Sequence, residues 1–288
     1  MTSPVPPSGP TALRILLGSQ LRRLREGRGI SAQEAARAIR GSESKISRIE
    51  LGRNAVREID VADLLGLYGV TDPDERDQLL NLASQANRPG WWYRFNDILP
   101  SWFQAYIGLE EAADSIRVYQ AQFIPGLLQT EAYAAAVLAL GDLPHDEMER
   151  HVMLRKERQR RFVSGELRLW ALLDEETLRR PVANQQVMRG QLAYLLSVMK
   201  NRNLVLQVIP RGVVGHAAPS GFSILRFGDP QMQDIVYVEQ LTSALYLDKR
   251  PEVDRYLLAM ERMSIVALEP RASADLIAAI LKEMGDPA

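Results

Sequence analysis

Residues 29–53 read GISAQEAARAIRGSESKISRIELGR, a pattern typical of two short helices joined by a tight turn. Ser31 can cap the first helix, and Glu34 three residues later completes a capping box. Ser42 can cap the second helix, and Gly52 can end it in the left-handed conformation that a residue with a Cβ disfavours. The sequence therefore predicts a pair of capped helices near its start.

The two predicted helices each bury a narrow stripe and expose the rest. The apolar residues at i, i+3 and i+4 spacing are Ala35, Ala36 and Ile39 on the first helix and Ile46 and Ile49 on the second. The second helix leaves five polar residues exposed: Glu43, Ser44, Lys45, Ser47 and Arg48. A polar face on a short, rigid helix is what base reading in the major groove of DNA requires.

Further helices are predicted on both sides of the pair. Their ranges are 11–28, 58–68 and a segment that starts at Asp72-Pro73, and the second of these is expected to bury Ile59, Ala62, Leu65 and Tyr68. The four prolines of residues 1–10 predict a disordered arm. We therefore predict a mainly α, five-helix domain over residues 11–85.

A family resemblance supports this interpretation. The run LGSQLRRLREGRGISAQEAARAI, followed by SESKISRIELGR, resembles the XRE-type helix-turn-helix of the phage-repressor class. The most specific part is the Ile46-Ser47-Arg48-Ile49-Glu50-x-Gly52 signature. The resemblance implies a DNA-binding domain whose second central helix is the recognition helix.

Charge is distributed unevenly over this region, although the whole chain carries a net charge of only -1. Residues 11–57 hold eleven Lys or Arg against four acids, a net charge of +7, whereas residues 58–85 hold seven acids and one arginine, a net charge of -6. A basic block followed by an acidic one favours a module with one surface toward phosphates and another turned away. The alternative is ordinary charge scatter on solvated helices.

The polar residues of the central pair suggest particular DNA contacts. Gln33, at the start of its helix, is placed to meet a phosphate together with free backbone N–H groups. Ser42 caps the recognition helix, while Ser44 and Lys45 at its start should point at base edges or flanking phosphates. Arg48, one turn later, can read guanine in bidentate fashion or clamp a phosphate, and Arg53 is expected to clamp the DNA backbone.

Three further residues of the recognition helix are more ambiguous. Glu43 departs from the neutral or basic residue more usual in the family, so it either accepts from cytosine N4 or pairs with a nearby cation. Ser47 either reads DNA or only lies on the polar side of the helix. Glu50 is expected to pair with an arginine of the first helix, such as Arg22, because a carboxylate facing phosphates is unfavourable.

The segment ANRPGWWYRFNDILPSWF, residues 86–103, holds six aromatic residues and several turn signals, and it is predicted to be a linker. Two interpretations are open for its rings. They form a packed seam between domains, as aromatic side chains commonly do, or they form a ligand cage. On the second interpretation Trp91, Trp92 and Trp102 are candidate ligand or partner contacts.

Residues 104–288 alternate between helix and strand patterns and predict an α+β domain. Its sheet is expected to have four or five strands, near residues 115–123, 167–173, 204–209, 221–227 and 235–238. The elements FIPGLLQTEAYA, WALLDEETLRRPV and GHAAPSGFSILRF are similar to the C-terminal domain of unknown function in actinobacterial XRE-type regulators, which are described as antitoxin-like or WhiJ-like. That resemblance implies a small partner protein encoded nearby.

Composition argues against several other classes of protein. The absence of cysteine excludes disulfides and thiolate metal sites, and no apolar run approaches the length of a membrane span. The first residues have no signal-peptide pattern, so a cytoplasmic location is expected. Among three histidines, only His216, in the Gly-rich loop VVGHAAPSG, is a candidate site residue. We expect no enzyme activity, metal or cofactor.

Taken together, the sequence predicts a sequence-specific DNA-binding transcriptional regulator that acts as a homodimer on a palindromic operator. Its C-terminal domain is expected to bind a small partner protein that modulates DNA binding. The alternative is a small-molecule sensor whose pocket involves the aromatic segment and the His216 loop.

Overall fold

The computed structural model describes residues 9–141, 143–213, 218–229 and 232–285. The chain divides into two compact units. The first spans residues up to 113 together with 227–233, and the second spans 114–226 together with 234 onward. Residues 1–8, which include most of the predicted N-terminal arm, and His216 lie outside the described residues.

Within the described part of the first unit, the predicted five-helix arrangement is confirmed. Its helices are α1 (Pro10–Gly27), α2 (Ala32–Ala38), α3 (Glu43–Glu50), α4 (Glu58–Leu67) and α5 (Pro73–Ala86). A short 3-10 helix (Trp91–Phe95) and α6 (Ser101–Ala112) follow. α2 and α3 are the predicted central pair.

The expected caps set the ends of the central pair. The Ser31 hydroxyl accepts from the Glu34 N–H at 3.2 Å, and the Glu34 carboxylate accepts from the Ser31 N–H at 2.8 Å, which closes the capping box. The Ser42 hydroxyl accepts from the Lys45 N–H at 3.2 Å. Gly52 has φ +63° directly after α3, as its left-handed role requires.

The core of these helices is mainly aliphatic, with Tyr68 as an aromatic member, and it corrects one expectation. Ile59 is 64% exposed rather than buried. The buried stripe of α4 is instead Val61, Leu64, Leu65 and Tyr68. Those residues follow i, i+3, i+4 and i+7 spacing, so the helix turns its more continuous apolar face inward and leaves Ile59 on the outside.

α1 and α3 approach each other at backbone distance. A Cβ added to Gly18 of α1 would lie 2.4 Å from the carbonyl oxygen of Ile49, and one added to Gly52 would lie 2.6 Å from the Cα of Ile15. No real side chain fits at such distances. Glycine at both positions therefore lets the end of the recognition helix rest directly on α1.

The capping box of α2 gives a modest, testable contribution to stability. Replacing Ser31 by alanine removes the acceptor for the Glu34 N–H, and we expect the unfolding free energy to fall by about 1 kcal/mol. Differential scanning calorimetry of the full chain measures the change. Ser84→Ala is the matched control, because Ser84 lies exposed near the end of α5. Equal melting temperatures for the two variants would contradict the prediction.

The segment predicted as an aromatic linker packs inside the first unit. Trp92 is buried, and its ring fits beside Gly90 and Gly108, where an added Cβ would lie 2.3 and 3.0 Å from ring atoms. Trp91 donates from Nε1 to the Glu111 carboxylate at 3.0 Å. Trp91 and Trp92 thus pack against residues of α6 and of the loop before it.

The second unit contains a six-stranded mixed sheet within its described residues. The strands are β1 (Ser115–Gln120), β2 (Arg168–Asp174), β3 (Leu204–Ile209), β4 (Phe222–Arg226), β5 (Ile235–Glu239) and β6 (Ala244–Leu247). Their order is β3-β2-β1-β4-β5-β6. β1, β2 and β3 run parallel, whereas β4, β5 and β6 pair antiparallel. The α+β prediction is confirmed, and β6 is the strand that it missed.

The described residues of the second unit also form seven α-helices. They are α7 (Glu131–Leu138), α8 (His145–Arg158), α9 (Arg160–Ser164), α10 (Glu175–Arg179), α11 (Gln185–Val198), α12 (Arg250–Val266) and α13 (Pro270–Glu283). α12 packs Val253, Met260 and Met263 against apolar residues of the strands. In the described part of the chain, no helix is both long and apolar enough to cross a membrane.

Candidate nucleic-acid interface

The second helix of the central pair, α3, presents a short polar stripe to the outside. Ser44, Ser47 and Arg48 are exposed, and their i, i+3 and i+4 spacing places them on one face. On the opposite face Ile46 and Ile49 are 1% and 3% exposed. The predicted division between a buried stripe and a polar face is therefore present on this helix.

A buried ion pair fixes α3 to α1. Arg25 donates from Nε to Glu50 Oε1 at 2.6 Å and from Nη2 to Oε2 at 3.0 Å, a bidentate arrangement. Arg25 also donates to the carbonyl of Ile30. The sequence correctly paired Glu50 with an arginine of the first helix, but Arg22 was the wrong one. Arg22 instead bonds Glu26, one turn away on the exposed side of α1.

A second ionic cluster joins α3 to α4. Lys45 donates from Nζ to Asp60 Oδ2 at 2.8 Å, while Arg57 donates to both carboxylate oxygens at 2.6 and 3.1 Å. Asp60 is 2% exposed, whereas the Arg57 side chain is 70% exposed. Hydrogen bonding to Arg57 and then to Lys45 lowers the pKa of Asp60, so its carboxylate is charged at neutral pH.

The remaining predicted contacts lie around α3. Gln33 is exposed as the second residue of α2, and Ser42 and Glu43 are exposed at the start of α3. Arg53 is exposed immediately after Gly52, and its N–H donates to the carbonyl of Arg48 at 2.9 Å. These residues thus belong to the same two helices and their caps.

The sequence interpretation missed Asp60 and the role of Arg57. Both lie outside the recognised signature, at the start of α4. An available signal was the i, i+3 spacing of an arginine and an aspartate across a helix start, which suits a short-range ion pair. What the spacing could not show was that Lys45, fifteen residues earlier, would join them.

The other candidate ligand or partner contacts are three tryptophans of the first unit and His216, which lies outside the described residues. Trp92 is buried, whereas Trp91 and Trp102 are half-buried. The rings of Trp102 and Phe103 meet edge-on at 5.8 Å.

The second unit contains a buried polar network near the segment FIPGLLQT. Gln191 accepts from the Thr130 N–H and donates to the Leu128 carbonyl, both at 2.7 Å. Gln129 donates to Ile124 and accepts from Arg155 at 2.6 Å. Burial and the nearby Arg158 lower the pKa of Arg155 to about 10. These bonds satisfy loop carbonyls and amides, so the network holds the loop in place.

Among the described residues there is no group of three or more His, Asp or Glu side chains that could hold a metal ion. For His151, which lies in α8, burial lowers the pKa and favours the neutral imidazole.

A capped pair of helices among three others, with an exposed polar stripe on the second helix of the pair, defines a helix-turn-helix protein. Comparison with family models agrees, since residues 16–79 match a helix-turn-helix domain. Residues 103–279 match a domain of unknown function, DUF5753. Because that match covers more than half of the chain, the protein belongs to the DUF5753 family. No curated protein and no solved structure matched the chain.

Proposed function

We propose that this protein is a sequence-specific DNA-binding transcriptional regulator. The observation that carries the proposal is the exposed stripe of Ser44, Ser47 and Arg48 on a helix whose other face is locked to α1 through Glu50. A helix of eight residues that is rigidly held and polar outside suits the major groove.

Each exposed side chain has a role that its chemistry supports. Arg48 has the planar fork that reads guanine O6 and N7, and Ser44 and Ser47 can bond either donors or acceptors on base edges. Gln33 and Arg53 are proposed to contact phosphates. Glu43 is proposed to accept from cytosine N4.

We propose further that the regulator binds as a homodimer. A single α3 covers only a few base pairs, whereas two copies about 34 Å apart reach successive major grooves of a palindromic operator. We also propose a cytoplasmic location. The resemblance to actinobacterial regulators implies a bacterial cell, in which the DNA target lies in the cytoplasm.

For the second unit, the proposed partner is a small protein, in line with the antitoxin-like resemblance. Exposed leucines at the β5–β6 hairpin support this choice, since Leu241 is 98% and Leu245 is 53% exposed. Apolar side chains exposed together favour a protein surface as partner. Co-purification of the natively expressed complex, followed by mass spectrometry, tests the proposal. A thermal-shift response to metabolites without any co-purifying protein would favour a small-molecule sensor.

DNA binding itself is tested by selection from a random duplex library, followed by fluorescence anisotropy on the enriched duplex at two salt concentrations. We expect affinity to fall steeply with salt, because Lys and Arg release counterions from phosphates. A scrambled duplex of equal composition is the control. If no duplex is enriched and both duplexes bind equally, sequence-specific binding is refuted.

A further inference from the structure

Asp60, in α4, forms ion pairs with both Lys45 of α3 and Arg57. This arrangement affects which side chains of α3 can read bases. Its buried carboxylate accepts from Lys45 of α3 on Oδ2 and from Arg57 on both oxygens. Two cations thus share one anion at the boundary between α3 and α4.

The position of Lys45 on its helix explains why it can reach Asp60. Successive residues of an α-helix are rotated by about 100°, so Lys45 lies to the side of the stripe formed by Ser44, Ser47 and Arg48. Its stem runs back over the turn before α3, because a Cβ on Gly41 would lie 3.0 Å from the Lys45 Cδ. The Lys45 side chain is one-third exposed.

The same carboxylate also binds Arg57, but the Arg57 side chain is more exposed to solvent than that of Lys45. Arg57 lies at the N-cap of α4, and most of its side chain remains in solvent although its guanidinium is held by Asp60 on one edge. A guanidinium has five N–H donors, so a carboxylate that takes two of them leaves others for a phosphate.

We propose that Asp60 is a positioning residue that sets base selectivity: it holds the Lys45 ammonium at the side of α3 and presents Arg57 to the DNA backbone. Base reading is then left to Ser44, Ser47 and Arg48. This inference rests on the proposed DNA-binding function, and it revises the role of Lys45 from a contact to base edges or flanking phosphates to a charge held by Asp60.

The physical consequence concerns selectivity more than affinity. An ammonium on a long, flexible stem attracts any phosphate and can donate to acceptors on several base edges, so a freed Lys45 would strengthen binding to all duplexes alike. Asp60 prevents this non-specific binding because it pairs with the Lys45 ammonium. Loss of the carboxylate should therefore raise non-specific binding and narrow the gap between specific and non-specific duplexes.

The test compares wild type, Asp60→Asn, Lys45→Ala and the double variant on the enriched duplex and on the scrambled one. Asp60→Asn is expected to reduce the ratio of the two affinities by about tenfold and to make the salt slope on the scrambled duplex steeper by about 1. In the double variant the wild-type ratio should return, because the freed ammonium is gone and Arg57 acts on the phosphates of both duplexes alike. Lys45→Ala alone should keep the wild-type ratio.

The ratio separates selectivity from folding. A variant that is partly unfolded loses active protein, which lowers apparent binding to both duplexes equally and leaves the ratio unchanged. An unchanged ratio in Asp60→Asn, or a reduced ratio that persists in the double variant, overturns the role of Asp60. If wild type enriches no duplex, the proposed DNA-binding function fails and this inference fails with it.

Discussion

Glu50→Ala is expected to lower the unfolding free energy of the helix-turn-helix by about 3 kcal/mol. The side chains of Arg25 and Glu50 are 12% and 8% exposed, and they share two hydrogen bonds. Removing the carboxylate takes both of these hydrogen bonds from a largely buried guanidinium and leaves it only the Glu26 carboxylate at 3.5 Å, and that penalty exceeds the value of an ordinary surface pair. The α3 helix would also lose its ionic tie to α1.

Native-state hydrogen exchange on peptides from α1 and α3 measures this effect locally, because the rest of the chain can stay folded. Glu26→Ala is the comparison variant: its exposed carboxylate pairs with Arg22 at 2.8 Å and lies 3.5 Å from Arg25, so its loss should cost under about 1 kcal/mol. A double variant, Arg25→Met with Glu50→Leu, should recover part of the stability because no charge remains buried. Equal protection in Glu50→Ala and Glu26→Ala would show that the buried pair contributes little.

Local signals in the sequence predicted the first unit well. Ser31, Glu34 and Ser42 act through hydrogen bonds to residues three positions away, so their pattern is visible along the chain. The same holds for Gly52, whose φ follows from its place after a helix. Secondary structure that is set by near neighbours could therefore be predicted with its ends.

Features that depend on tertiary packing were harder to predict. Two overlapping apolar stripes can be drawn along α4, and its packing against the neighbouring helices decides that the stripe without Ile59 is buried. The conformation of Arg40 was also not predictable from local sequence. Arg40 adopts φ +51° in the turn between α2 and α3, although the neighbouring Gly41 has no Cβ and suits that conformation better. The Gly41 N–H instead bonds the Ala36 carbonyl at 2.8 Å, which fixes the order of the two residues.

The sheet of the second unit shows why its last strand escaped prediction. β6 has four residues, and the turn before it, from Gln240 to Ser243, lacks the Asn-Gly or Asp-Gly pair that signals a tight hairpin. Strand order was not predictable because parallel neighbours such as β1 and β2 are joined through long helical segments. Among the site residues, the Lys45–Asp60 bond likewise depends on how two helices meet.

Arg48→Ala is expected to weaken binding to the enriched duplex by about 1–3 kcal/mol, or about 5- to 150-fold. Arg48 is exposed on the central stripe of α3, one turn after Ser44, where its fork can reach guanine O6 and N7. The loss should be larger on the enriched duplex than on the scrambled one, since bidentate base contacts are lost only where the matching guanine is present.

Fluorescence anisotropy with a set of duplexes, each carrying one base change, measures this and locates the contacted base. For Arg48→Ala the penalty at the guanine read by Arg48 should vanish, while the penalties elsewhere persist. Arg48→Lys keeps the charge but not the fork, so it should restore affinity for the scrambled duplex without restoring base preference. Arg88→Ala is the control, because Arg88 is an exposed arginine that follows α5. If Arg48→Ala weakens both duplexes equally, Arg48 clamps a phosphate, and base reading must come from Ser44 and Ser47.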